Sequence, residues 1–279
     1  MGFNRVHAKL QAKAAMKKTY PHPMLVTLVY LLATSVLSWV ISLLVANPFT
    51  EMLTYLDAGY DPNVVFAYVL RGNRLVLYIF LSVLISLYTT VMSFGYTSYG
   101  LRLARGEQPS YRNLLDGFPM AGRVILAAIL MTIFLFLWEM VVLIPGMVVM
   151  VVLLLAGAEA LAALWTVVFM IGVIVFILAI AYRYALTSYF LLDHPDMTAL
   201  QAITASKQAM RGHKWELFVL ELSFLGWAIL SLLTLGILGL WVTPYRAATV
   251  SNFYDIITGG YREPPSFGPY PGAGPNENH

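Results

Sequence analysis

Glu139 stands in Phe-Leu-Trp-Glu-Met-Val-Val, the only charge between Arg123 and Leu155. A carboxylate at that depth in an apolar medium costs about 2.5 to 3.5 kcal/mol on insertion scales, taking aspartate as its analogue. It must therefore be neutral, paired or turned to a wet cavity. In a wet cavity it could bind a cation or relay a proton. As a protonated or hydrogen-bonded group it would lock two helices together, and the absence of a second carboxylate nearby favours this packing reading. Arg183 and Arg246 are the natural partners, and Glu221 is another acid in an apolar run. Arg183 can also snorkel to headgroups among Tyr182, Tyr184 and Tyr189. These four residues, Glu139, Arg183, Glu221 and Arg246, form the candidate intramembrane polar network.

Other chemistry has little support. The chain has no cysteine, which removes thiolate nucleophiles, thiolate metal sites and disulfides. His7, His22, His194, His213 and His279 fall in flanks, loops or the tail, never as the i, i+4 pair of a metal-binding helix. No phosphate loop, dinucleotide fingerprint, nucleophile elbow or paired-carboxylate motif is present. No catalytic, cofactor or metal site is expected.

The elements that hold these residues are written in the composition. Of 279 residues, 59% are hydrophobic and 11% charged, with a mean hydropathy of +0.75. Soluble domains carry about 25% charged residues, so a soluble globular domain is excluded. The apolar runs exceed the roughly 20 residues that cross a bilayer. The fold class is all-α, a polytopic transmembrane helical bundle forming one domain over residues 1–258.

Six spans are expected, at about 24–46, 75–99, 124–155, 160–192, 215–234 and 237–257, with five spans as the alternative. In the alternative, Arg246 is only an external flank. A continuous helix over 124–155 would overshoot a core of about 30 Å, so a hinge is expected at Pro145-Gly146, where proline removes a donor. Thr198 and Gln201 have the form of a capping box for a short interfacial helix, with Leu200, Ile203 and Met210 on one face and Gly212 as its stop. Arg5, Lys9, Lys13 and Lys17 recur every four residues, and with Lys207, Arg211 and Lys214 they are read as lipid-facing cations. The positive flank places the N-terminus in the cytoplasm. The tail 259–279, rich in Gly and Pro, is expected to be disordered.

Four stretches in order and spacing, Phe-Leu-Leu-Asp-His-Pro-Asp-Met-Thr-Ala-Leu-Gln-Ala-Ile from Phe190, Met210 to Trp227, Leu233 to Trp241 and Pro244 to Tyr254, resemble the bacterial integral membrane family catalogued as domain of unknown function 975. Leu103 to Phe118 is similar as well, and the likeness covers roughly Ala12 to Ile257. The resemblance implies a multi-span protein of the bacterial cell membrane with no assigned reaction. One departure is the stretch of about 35 residues between Ile144-Pro145-Gly146 and Tyr182-Arg183-Tyr184, which is much shorter in the family. The expected function is that of a non-enzymatic structural or accessory component that binds membrane lipids, other membrane proteins or a second copy of itself, and not nucleic acid. The alternative is a small transporter or channel-like protein with a polar path near Glu139.

Overall fold

Proline and asparagine set the helix starts on one side of the bundle. Pro23 opens α2 (Pro23–Leu44), and the Asn47 side chain accepts from the Phe49 amide as α3 (Pro48–Asp57) begins. Asp61 accepts from Asn63 in the same way at α4 (Pro62–Arg71). The computed structural model describes residues 4–45, 47–71 and 73–259. The remaining elements are α1 (Arg5–Lys18), α5 (Asn73–Ala104), two 3-10 turns (Tyr111–Leu115 and Phe118–Met120), α6 (Ala121–Leu155), α7 (Glu159–Tyr184), α8 (Thr187–Asp193), α9 (Ala199–Ala209), α10 (Lys214–Leu222), α11 (Leu225–Leu233) and α12 (Gly239–Thr258). No strand occurs among the described residues. The tail expectation lies almost wholly outside them.

Five stretches are long and apolar enough to cross a membrane: Pro23–Val40, Asn73–Ala104, Tyr111–Leu155, Glu159–Asp193 and Lys214–Leu233. They present Leu, Val, Ile and Phe side chains outward, as helices must when lipid is the solvent. α12 is different. Thr249, Ser251, Asn252, Tyr254 and Asp255 are all buried in it, and α1, α2 and α5 pack around it. A helix enclosed by protein needs no apolar coat.

The core lies at one end of the bundle. Tyr99, Leu103, Leu186, Met210, Leu220 and Phe253 are fully or almost fully buried there, with Met16 of α1 and Val26 of α2. Glycine permits the closest approach: a Cβ on Gly95 would overlap the Leu114 carbonyl oxygen, and one on Gly100 would fall 3.0 Å from Ala247. The first 3-10 turn thus lies directly on α5, held by Ser98, which donates to Asp116 at 2.6 Å.

Three features of the helices bear on these expectations. First, α6 runs as one helix from Ala121 to Leu155 with Pro145 inside it. Gly146 leaves a notch for the Phe169 ring of α7, and the Trp165 indole donates to the Gly146 carbonyl at 3.1 Å. The extra length is used at the other end, where Val124 and Ala127 are buried against Phe94, Leu191 and Ala202. Second, the span expected at 160–192 breaks after Tyr184. Ser206 of α9 fills the break, accepting from the Leu186 amide and donating to the Arg183 carbonyl, both at 3.1 Å. Third, the last hairpin turns where expected, with Leu235 and Gly236 at positive φ. Its turn, however, shares a groove with Met24 in the first turn of α2. Ala247 lies beside Gly100 and Asp255 meets Arg105, so α12 runs parallel to the last turns of α5. The hairpin therefore turns beside the start of α2, not at its far end.

The short helix α9 carries the expected capping box between Thr198 and Gln201, and Gly212, at φ 87°, follows it. Of the three apolar residues expected on one face, Ile203 and Met210 are buried in the protein and Leu200 is exposed. The inward stripe is instead Ala199, Ala202, Ile203 and Ser206, and its three small residues let α9 lie close against α6 and α8.

Candidate functional site

Glu221 and Arg246 come together. The guanidinium donates twice, from Nε to Oε2 and from Nη2 to Oε1, each at 2.6 Å. This is the fork-on-fork geometry that makes arginine the preferred partner of a carboxylate. The guanidinium also lies beside Tyr182 of α7 and Tyr189 of α8, so Arg246 packs against the bundle.

The other two members of the expected network stay apart. Glu139, half-exposed on α6, makes no hydrogen bond or ion pair among the described residues. The Arg183 side chain enters no ion pair there either, while its carbonyl serves the α7–α8 break. Distance along the bundle explains this: Glu139 follows Trp138, which packs on Phe176 almost two turns before Arg183. The Pro145-Gly146 pair is a contact surface for Trp165 and Phe169.

A second charged cluster was not foreseen. Arg105, one residue past α5, donates to both oxygens of Asp193 at 2.7 Å and to both oxygens of Asp255 at 3.2 and 2.7 Å. The Asp255 side chain is only 5% exposed. Tyr254 hydrogen-bonds Asp193 and stacks on Tyr189 at 5.0 Å. Asp193 closes α8 and Asp255 lies in the last turn of α12, so both carboxylates occupy helix C-termini, where the backbone dipole disfavours negative charge. Arg105 offsets both at once. The hydrogen bonds it donates to Asp193, reinforced by those to Asp255 against the opposing effect of burial, hold the guanidinium pKa above its ordinary value.

Arg246 and Asp255 are nine residues apart, which at 100° per residue places them on opposite sides of α12. One charge therefore faces α10 and the other faces α5 and α8. The two ion pairs clamp α12 from both sides.

Around this core the loop after α5 is tied down as well. Asp116 accepts from Ser98 and from Asn113, and Arg102 reaches Glu107 at 3.1 Å and Asp116 at 3.6 Å.

The basic residues divide. Arg5, Lys13, Lys17 and Arg211 are exposed, and Lys207 and Lys214 partly so. Lys9 is a correction to the lipid-facing set. Its ammonium donates to the Ser223 carbonyl at 3.3 Å and lies 4.4 Å from the centroid of the Phe224 ring. The break between α10 and α11 frees that carbonyl, and an inward lysine satisfies it. Burial, with Arg5 adding repulsion, lowers the Lys9 pKa.

Two concavities lie near these clusters. A cavity of about 390 Å³ is bounded by Tyr30, Thr89, Thr90, Ser93 and Ser188 on its hydroxyl side and by Phe94, Ala127 and Met131 on its apolar side. An apolar slot lies between α7 and α10, with Lys214 in its lining. Among the described residues no three His, Asp or Glu side chains are grouped to hold a metal ion. The acids nearest the core are committed to Arg105 and Arg246, which makes the arrangement suited to holding helices and leaves open cations at its rim.

The cluster at Arg105 draws its members from Leu103 to Phe118, from the stretch at Phe190 and from the end of α12, so motifs separated in sequence converge in space. No curated protein and no solved structure matches the chain. A family model does: that of the protein of unknown function DUF975 matches residues 1–260, and the chain belongs to that family.

Proposed function

We propose that this protein is a non-enzymatic structural or accessory component of the bacterial cell membrane that binds lipid at its basic end. The observation carrying this reading is the contrast between closed and open charges. Arg105 with Asp193 and Asp255, and Arg246 with Glu221, are mutually satisfied, whereas the exposed cations Arg5, Lys13, Lys17 and Arg211 lie beside apolar side chains such as Val6, Leu10 and Trp215 that are themselves exposed. Cations next to exposed apolar groups match the boundary between headgroups and acyl chains.

The same distribution supports a cytoplasmic N-terminus. α1, the loop after α5, α9 and the start of α10 carry the excess of Lys and Arg, and Asn252 donates to the Ala8 carbonyl at 2.9 Å, so the last helix ends beside the first. Glu51, Asp57, Asp61 and Glu159 lie at the opposite ends of the long helices. The positive-inside rule assigns the first of these ends to the cytoplasm.

The test is thermal melting of the delipidated chain in detergent with added phosphatidylglycerol or phosphatidylcholine. A higher melting temperature with the anionic lipid is expected, and no response to either lipid would sink the reading. A carrier reading is favoured by one observation, the cavity between α2, α5, α6 and α8, whose mainly apolar lining includes Tyr30, Thr89, Thr90, Ser93 and Ser188. Its path would run through that cavity and not through Glu139, and uptake of a solute into vesicles, lost on Ser93→Leu, is its signature.

A further inference from the structure

Val175, Leu178 and Ala179 of α7 and Phe218 of α10 wall a slot of about 320 Å³, with Tyr182, Trp215 and Lys214 completing its lining. Aromatic packing shapes it: Phe218 stacks on Trp215 at 5.1 Å and meets Tyr182 edge-on at 6.5 Å. From Val175 to Tyr182 it follows α7 for about 10 Å, at 1.5 Å per residue. Lys214 is the one charged residue of the lining, and among the described residues it makes no ion pair. Arg211, three residues earlier, is exposed.

We propose that this slot is a binding site for one anionic glycerophospholipid, with an acyl chain against Leu178, Ala179 and Phe218 and the phosphate at Lys214. The chemistry of the lining selects this occupant. Apolar walls accept a hydrocarbon chain and offer no set of hydrogen-bonding groups to a polar solute. Tyr182 and Trp215 are the residue types that settle at headgroup level. The open ammonium requires negative charge, which a zwitterionic lipid offers only in part. Nδ1 of the neighbouring His213 is engaged by Glu216 at 2.7 Å. The site deepens the lipid-binding reading and rests on it.

The full chain is reconstituted in phosphatidylcholine vesicles containing either phosphatidylglycerol or phosphatidylcholine with brominated acyl chains. Subtracting the signal of Trp215→Phe isolates Trp215 from the other five of the six tryptophans. Brominated phosphatidylglycerol is expected to reach half-maximal quenching at about a five-fold lower mole fraction than brominated phosphatidylcholine, the effect of one cation near an anionic headgroup. Lys214→Gln removes that preference and Lys214→Arg keeps it. Ala179→Phe, with helicity retained, fills the slot and weakens quenching by both lipids. Equal quenching by the two lipids in the parent, or a preference that survives Lys214→Gln, overturns the site. If phosphatidylglycerol still raises the melting temperature in that case, the site fails while the broader reading stands. If neither effect occurs, both fail.

Discussion

The end of the bundle that gathers α1, the last turns of α5, α8, α9 and α12 contrasts with the hairpin of α6 and α7. In the first, helices are enclosed by other helices, tyrosines and carboxylates are buried, and glycines admit backbone to backbone contact. In the second, Val141, Ile144, Val148, Val152, Leu164, Val168 and Ile171 are all exposed, and two helices hold each other by ring contacts such as Trp138 on Phe176 at 6.2 Å. Lipid supplies the hairpin with the environment that protein supplies to the core. A polar group is tolerated in the core because specific partners can be built around it, whereas beside lipid only an apolar side chain is satisfied without a partner.

The largest test of this contrast is Arg105→Met. It removes the guanidinium that bonds Asp193 and the deeply buried Asp255, and losing one partner of a buried pair destabilises by about 3 to 5 kcal/mol. A fall in membrane abundance and a large drop in melting temperature are expected. An unchanged melting temperature would mean that the cluster is solvated and holds nothing.

A glycine pair sharpens the comparison at the next level. Gly95→Ala drives a methyl group into the Leu114 backbone, which cannot rotate away, and the strain of such overpacking is about 1 to 3 kcal/mol. Gly172→Ala, in α7, meets nothing within 4 Å and gains helix propensity worth up to about 1 kcal/mol. Opposite signs in the two melting temperatures are the expected result. Destabilisation at both positions would show that the exposed face of α7 is covered by another chain.

How much of this was legible in the sequence follows from the same physics. Long apolar runs announce helices in lipid, and the capping box at Thr198 and the turn at Gly236 announce their ends. Glu221 and Arg246 could be named as candidates because a charge inside an apolar run demands a partner, but the choice between Glu139 and Glu221 for that arginine could not be read. Arg105, Asp193 and Asp255 could not, because each sits at the end of its element, where a charge is an ordinary flank. Only the tertiary arrangement of α5, α8 and α12 joins them. Lys9 failed for a related reason: it has the spacing of its lipid-facing neighbours, and only the helix break at Ser223 singles it out. The depth of the last hairpin was equally hidden, since 20 residues of α12 have the length of a span, and the polar residues that mark it as enclosed are spread around the helix.

A double-mutant cycle on Glu221→Gln and Arg246→Gln probes the clamp nearer the rim. The Arg246 side chain is 55% exposed, which reduces the expected coupling to about 1 kcal/mol. Each single variant should melt lower than the parent, and the double variant should lose less than the sum of the two. Strict additivity would mean that the pair is formed but contributes nothing.

The smallest effect is expected at Glu139, the residue that sequence alone made most prominent. It has no hydrogen bond or ion pair among the described residues, so Glu139→Leu removes no contact and replaces an awkward group in lipid with a favoured one. Abundance and melting temperature should be unchanged or slightly raised. A collapse on Glu139→Leu, rescued by Glu139→Gln, would instead reveal a hydrogen-bonded partner on a second chain. The hairpin would then be an unfinished interface and not a lipid-solvated pair, and the distinction between the two regions would be one of assembly instead of solvent.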